Sequence, residues 1–214
     1  MMGLGIRTHL RKYFASPRAL NDYATHIPIL IGLARLREIR NVLEFGCGRY
    51  STLTFLNRSA FPRLERLHSI ENDDVWASTI EEAAKDDPRW TLQRVNGEVS
   101  ETIANLDLES FDLILIDDAK TSAQRAATMR AVGRRQPQHP WIVIHDFEVE
   151  EYRRAASGFK HSHRFRAYNP ETGIVGNQMK EWKIIDRVIK SNARVLEPDA
   201  VLRWIDSFRQ DLQD

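Results

Sequence analysis

The chain has 214 residues, 42% of them hydrophobic, and its 31 basic and 30 acidic side chains leave a formal charge of +1. That length supports one buried core, and near-neutrality excludes a global field that would hold the protein on nucleic acid or an anionic membrane. A single cysteine, Cys47, excludes an internal disulfide, and no His/Cys cluster has zinc-ligand spacing. The expected partner is therefore a small molecule or a protein, with neither nucleic acid nor membrane expected. The N-terminal stretch MMGLGIRTHLRKYFASPR lacks the apolar core of a signal peptide, and no run approaches the ~18 apolar residues of a spanning helix. Met2 precludes the Met-Gly start of myristoylation, no repeat is present, and the expected location is the cytoplasm.

In chain order, residues 18–39 read as helical, with Pro28 opening a new helix. Five short apolar runs follow as strands: NVLEF (41–45), RLHSI (66–70), TLQRV (91–95), FDLILID (111–117) and WIVIHD (141–146). Between them lie helical stretches. VWASTIEEAAKDD is capped by Asp73 or Asp74, with Val75, Trp76, Thr79, Ile80, Ala83 and Ala84 on one face and Pro88 as the stop. SAQRAATMRAVGRR ends near Gly133, and residues 148–157 form a shorter helix. Beyond residue 158 the segments HRFRAY, NPETG and the stretch up to WKII read as an antiparallel pair finishing the sheet. HSHRFR (161–166) reads as a solvated edge strand. In the tail, Val201, Trp204, Ile205, Phe208 and Leu212 form one stripe, which packs on its own domain or makes a homodimer contact. The alternation predicts an α/β fold: a Rossmann-like, mostly parallel, seven-stranded sheet with helices on both faces and an antiparallel C-terminal pair.

In such a sheet ligands bind beyond the carboxyl ends of the strands, where strand order reverses, and the first strand belongs there. Its tip reads NVLEFGCGRYST, in which Gly46 and Gly48 permit a tight turn with bare backbone against a ligand, and Ser51 or Thr52 starts a helix. Ser51 stands where a dinucleotide fingerprint has its third glycine or alanine. Glu44, two residues before the turn, is unwelcome beside a pyrophosphate but useful toward a cation, directly or through water. S-adenosylmethionine carries an ammonium and a sulfonium and no phosphate, so the acid favours the methyl donor. At the tip of the second strand Glu71 is placed to accept both hydroxyls of a ribose, a feature shared with NAD binding.

Taken together, VLEFGCGRYST, SIEND, NGEVSETI and FDLILIDDAK resemble the class I S-adenosylmethionine-dependent methyltransferases over residues 40–147. That resemblance implies one methyltransferase-like domain over 1–214, with a helical cap (1–40), a donor-binding core (41–147) and an acceptor-side segment (148–214). It also implies that Glu44, Gly46 and Gly48, with Cys47 and Ser51 in the same turn, line the methionine portion. Glu71 and Asn72 hold the ribose, Gly97 and Glu98 lie near the adenine, and Asp117 faces the donor. The family's first loop is richer in glycine, and Arg49 and Tyr50 replace part of it here.

For the chemistry, Asp117, Asp118 and Lys120 lie beyond the fourth strand and His145, Asp146 and Glu148 beyond the fifth. The first group is similar, more narrowly, to the ID-x-x-K segment of catechol and caffeoyl-coenzyme A O-methyltransferases. In that likeness Lys120 is the base, and Asp117 with Asp146 binds a divalent metal, Mg2+. The asparagine expected after Asp146 is replaced by Phe147, which cannot coordinate magnesium. His145 offers a metal-free route, because an imidazole can take a hydroxyl proton directly. Its structural alternative is a buried histidine bonded to backbone, as Asp118's is a helix cap. The acceptor pocket is expected from the N-terminal helices, including Tyr23 and His26, and from residues 147–180. The leading expectation is O-methylation of a small metabolite or sugar-containing acceptor. An NAD-dependent oxidoreductase and a catalytically inactive donor-binding protein stand as alternatives.

Overall fold

The computed structural model describes residues 22–118 and 121–178. Among them seven strands form one sheet in the order β3-β2-β1-β4-β5-β7-β6. Strands β1 (Asn41–Phe45), β2 (Arg66–Glu71), β3 (Trp90–Arg94), β4 (Leu113–Ile116) and β5 (Trp141–Ile144) are the five expected runs, with ends that differ by up to two residues. They pair in parallel. Strands β6 (His161–Phe165) and β7 (Thr172–Gly176) close the sheet antiparallel to β5. Strand order reverses between β1 and β4, which opens a crevice at their carboxyl ends.

Each sheet face buries its own cluster, and the period-two alternation of strand side chains decides which residue joins which. Val42, Leu67, Leu113, Leu115, Trp141 and Val143 face one side, where helix α1 (Ile27–Leu36) brings Ile29, Leu30 and Leu33. Leu43, Phe45, Ile70, Ile114, Ile116 and Ile144 face the other, against Met129 and Val132 of helix α4 (Ser122–Arg134). Leu115 pairs with Val143 in register. Asp117 and His145, each two residues further on, therefore arrive side by side on the α1 face.

The remaining helices are α2 (Thr52–Leu56), α3 (Asp74–Ala84) and α5 (Glu150–Ala155). Asp73 caps α3, accepting from the Val75 and Trp76 amides at 3.0 and 3.1 Å. The face of α3 differs from expectation: Ala77, Ile80 and Ala84 are buried, whereas Val75 is 80% exposed. Val75 and Trp76 occupy the first turn at the crevice mouth, where no sheet lies beneath them. Asp118 is not the cap of α4; Thr121 is, accepting from the Gln124 amide at 3.3 Å. Asp118 is instead buried and accepts from the Thr128 hydroxyl at 2.6 Å. The WKII stretch, Lys120 and the tail stripe with its dimer contact lie outside the described residues.

Phe147, the residue that departs from the metal-binding pattern, is 2% exposed and lies over β7. A Cβ on Gly173 would fall 2.3 Å from its ring, so glycine is the residue that lets the ring lie flat on the strand. Gly173→Ala should therefore lower stability by about 1–3 kcal/mol, as overpacking does. In thermal melts Phe147→Leu should recover part of that loss in the double variant, and purely additive effects would contradict the packing.

Candidate functional site

A cavity of about 500 Å³ opens at the carboxyl ends of β1, β2, β4 and β5, within the range of small-ligand sites. One end is the β1–α2 turn. The Gly46 amide donates to the Ile70 carbonyl at 2.9 Å and its φ is +85°. A Cβ there would lie 2.5 Å from the Asp117 carbonyl oxygen, so the turn and the β4 tip approach at backbone distance. Of the two glycines in this turn, Gly46 alone has a positive φ. Gly48 serves close packing, since a Cβ would stand 3.1 Å from the Ser51 hydroxyl.

Glu71 lines this end and also ties it together. Its carboxylate accepts from the amides of Cys47 (3.1 Å), Asn72 (2.7 Å) and Asp73 (2.8 Å). Burial raises its pKa against those three bonds. The Trp76 indole, at the rim, donates to the Cys47 carbonyl. Cys47, Ser51 and Asn72 line the same end. Burial pushes the Cys47 thiol up, which keeps it a small packed side chain and no nucleophile.

Glu44 lies beneath the turn and not along the cavity. It is fully buried and accepts from the Thr52 hydroxyl at 2.8 Å and the Ser69 hydroxyl at 2.5 Å. Its other oxygen has no hydrogen-bond partner among the described residues. Burial pushes its pKa up to about 7 against the lowering influence of the Ser51, Ser69 and Thr52 hydroxyls. Gly97 and Glu98 stand one layer behind the lining. The Gly97 carbonyl accepts from the Asn72 side chain at 3.0 Å, and Glu98 accepts from Gln124 at 2.9 Å.

Beyond Asp117, whose backbone meets the turn, the cavity is lined by Tyr23, His26, His145 and Asp146. His145 is 3% exposed, with Nε2 2.8 Å from the Thr25 hydroxyl and Nδ1 3.3 Å from Asp117. Burial, the largest single influence, depresses its pKa, but the charge and hydrogen bond of Asp117 together with the Asp146 charge outweigh it and raise the pKa. Burial would raise Asp117, yet His145 and Arg125 hold it well below the usual carboxylate range. His26 meets His145 edge to face at 4.8 Å, and burial together with the His145 charge lowers it to about 3.

Arg125 was not singled out in the sequence. It is 7% exposed and stands on the buried face of α4 with Met129 and Val132. Nε donates to the Asp118 carbonyl at 2.7 Å, Nη1 to Asp146 at 2.7 Å, and Nη2 lies 3.0 Å from the Asp117 carboxylate. Nη1 and Nη2 also reach the His145 and Asp117 carbonyls, each at 3.3 Å. Burial works against its charge, and Asp117, Tyr152 and Asp146 outweigh that. The legible signal was a cation four residues before Met129 and seven before Val132, inside an apolar stripe.

Asp117 and Asp146, the pair that the narrower resemblance gives to magnesium, thus share a guanidinium, and the third position is the packed Phe147. Magnesium takes oxygen ligands in octahedral array. This donor set does not fit it.

No protein-family model matches the chain, and no curated protein does. Solved structures do. The methyltransferase domain of bacterial CtHen1-C is 11% identical, with a TM-score of 0.52, over 74% of this chain and 100% of that one. Cofactor-bound Rv0187 from MTB is 16% identical at 0.53, over 81% and 89%. A Klebsiella pneumoniae protein provisionally named an O-methyltransferase is 19% identical at 0.50, over 80% and 89%. The fold is therefore the Rossmann-like fold of S-adenosylmethionine-dependent methyltransferases, with the cavity at its switch point. No helix among the described residues is long and apolar enough to cross a membrane.

The buried Glu44 generates a prediction. Its folded pKa of about 7 exceeds the ordinary 4.5, so its proton stabilises the fold fully below pH 4.5, and that contribution is lost as pH rises through 7. Relative to Glu44→Gln, the wild type should lose up to ~3 kcal/mol across this window. Thermal melts of both forms from pH 4.5 to 8 check it, and parallel curves would contradict it.

Proposed function

We propose that the protein transfers a methyl group from S-adenosylmethionine to an oxygen of a small metabolite or sugar-containing acceptor, in a reducing cytoplasm. The observation that carries this reading is one cavity with two chemically different ends. At the turn, bare peptide groups at Gly46 and Gly48 face a carboxylate, Glu71. At the other end, an Asp–His pair stands beside a second imidazole.

The bound donor supplies an electrophilic methyl on its sulfonium; everything else falls to the chain. Gly46, Cys47, Gly48 and Ser51 form the surface for the amino-acid portion. Glu71, with three amides bound, keeps one acceptor site on Oε2 for a ribose hydroxyl, and Asn72 braces Gly97 and with it the side expected for adenine. Glu44 acts through the turn, holding Thr52 and Ser69 from below. At the acceptor end His145 is the proton acceptor and Asp117 the group that stabilises its imidazolium. Such a pair suits a hydroxyl, which must lose a proton, more than an amine, whose lone pair attacks without a base. Lys120 keeps its expected role as a base on sequence grounds alone.

Calorimetry on the full chain tests the donor assignment. S-adenosylmethionine and its demethylated product should bind and NAD should not, and Glu71→Ala should weaken both sulfur ligands at least tenfold with an unchanged circular dichroism spectrum. NAD binding without a response to either sulfur compound would overturn the reading. His145→Ala should retain donor affinity while methyl transfer to hydroxyl acceptors falls by about 10²-fold or more.

A further inference from the structure

His26, His145 and Asp117 each offer a ligand atom at the acceptor end of the cavity, and these atoms lie within 4.8 Å of one another. We propose that these three residues form a binding site for a divalent first-row transition ion of the zinc or cobalt kind, distinct from an oxygen-only magnesium site.

Three observations carry the assignment. His26 is 1% exposed, lines the cavity, and has no hydrogen-bond partner on either ring nitrogen among the described residues. A neutral imidazole buried in that way forgoes both its donor and its acceptor bond, which costs free energy unless something in the cavity accepts its lone pair. Second, Thr25 engages one ring nitrogen of His145. The Thr25 hydroxyl lies 2.8 Å from Nε2 and is within reach of the Asp22 carbonyl at 3.4 Å; donation to that carbonyl leaves its oxygen to accept Nε2–H of His145. In that tautomer the Nδ1 lone pair of His145 points at an Asp117 oxygen 3.3 Å away. Two lone pairs facing each other require a cation between or beside them, either a proton or a metal. A histidine donating its remote N–H to a fixed oxygen is also the usual outer support of a metal-bound imidazole.

Third, the set is chemically selective. Two imidazoles and one carboxylate suit zinc, cobalt, nickel or iron better than magnesium, which is served by carboxylates, carbonyls and water. Arg125 borders the site. It engages Asp146 and, at 3.0 Å, the same Asp117 oxygen that Nδ1 of His145 faces at 3.3 Å, so an ion would share the Asp117 carboxylate with the guanidinium. Tetrahedral metal–nitrogen bonds of ~2.1 Å place ligands about 3.4 Å apart, closer than the widest separation here. The gap closes by rotation of His26, whose side chain no hydrogen bond holds. The proposal does not depend on the identity of the methyl donor.

The test uses the metal-free full chain and metal ions alone. Cobalt(II) titrated into the protein should give visible d–d absorption saturating at one tight equivalent, and zinc should bind by calorimetry at least tenfold tighter than magnesium. His26→Ala and Asp117→Asn should each remove that tight equivalent, with surface histidines contributing only weaker sites. His26→Gln serves if the alanine variant does not fold. Asp146→Asn discriminates the two geometries and should change zinc affinity less than threefold. The proposal is overturned if no tight equivalent exists in the wild type, if the His26 variants bind as well as the wild type, or if magnesium binds more tightly than zinc. It is likewise overturned if Asp146→Asn costs as much as His26→Ala. None of these outcomes bears on binding of S-adenosylmethionine or NAD, so the donor assignment stands or falls separately, whereas an ion on His145 and Asp117 would take the place of the proton that pair is proposed to hold.

Discussion

A buried arginine holds the working end of this sheet together. Two parallel strands that stop side by side leave carbonyls without ladder partners and, here, two aspartates at adjacent tips. The Arg125 guanidinium answers both needs at once, reaching the carbonyls of Asp117, Asp118 and His145 and the carboxylates of Asp117 and Asp146. Buried charges persist only when paired and bonded in this way. With the tips of β4 and β5 so fixed, Asp117 and His145 have one arrangement available. The cavity inherits its electrostatics from that arrangement: an ionised Asp117 and a His145 whose protonated form is favoured.

The same logic of close approach governs the other end. The β1–α2 turn meets the β4 tip at backbone distance because Gly46 has no Cβ, and the turn is supported from below by a carboxyl group with no access to solvent. Glu44 and Glu71 therefore divide their labour by layer. Glu71 stands in the cavity wall and collects three amides, whereas Glu44 sits under the wall and collects hydroxyls. A ligand's positive end would meet the first directly and the second only through the intervening turn.

Phe147 illustrates how a departure from a family pattern can have a packing cause. Where an oxygen ligand was expected, a phenyl ring fills the space above a glycine of the neighbouring antiparallel strand. The metal chemistry consistent with the residues present shifts accordingly, away from the Asp117–Asp146 pair and toward the imidazoles on the α1 face.

Strand runs, helix caps and the glycine turn were legible in the sequence because each is written in local spacing: a period of two, a period near 3.6, and residue types that suit particular turns. So was the placement of Glu71 and Asp117 at strand tips, which needs only the sheet's parallel order. Of Arg125 only a cation inside an apolar stripe was legible, and not its partners; Thr25 and the pairing of His26 with His145 were not legible at all. Thr25 stands 120 residues from His145 along the chain, and no short-range pattern records which helix packs on which face of a sheet. By itself the sequence determined the class of fold, the crevice and the acids that border it. Only the tertiary structure decided that Glu44 is roofed over, that an arginine stands between the two tip aspartates, and that two distant histidines share one pocket. Those are outcomes of register and face-to-face packing, and they exist only once the sheet has assembled.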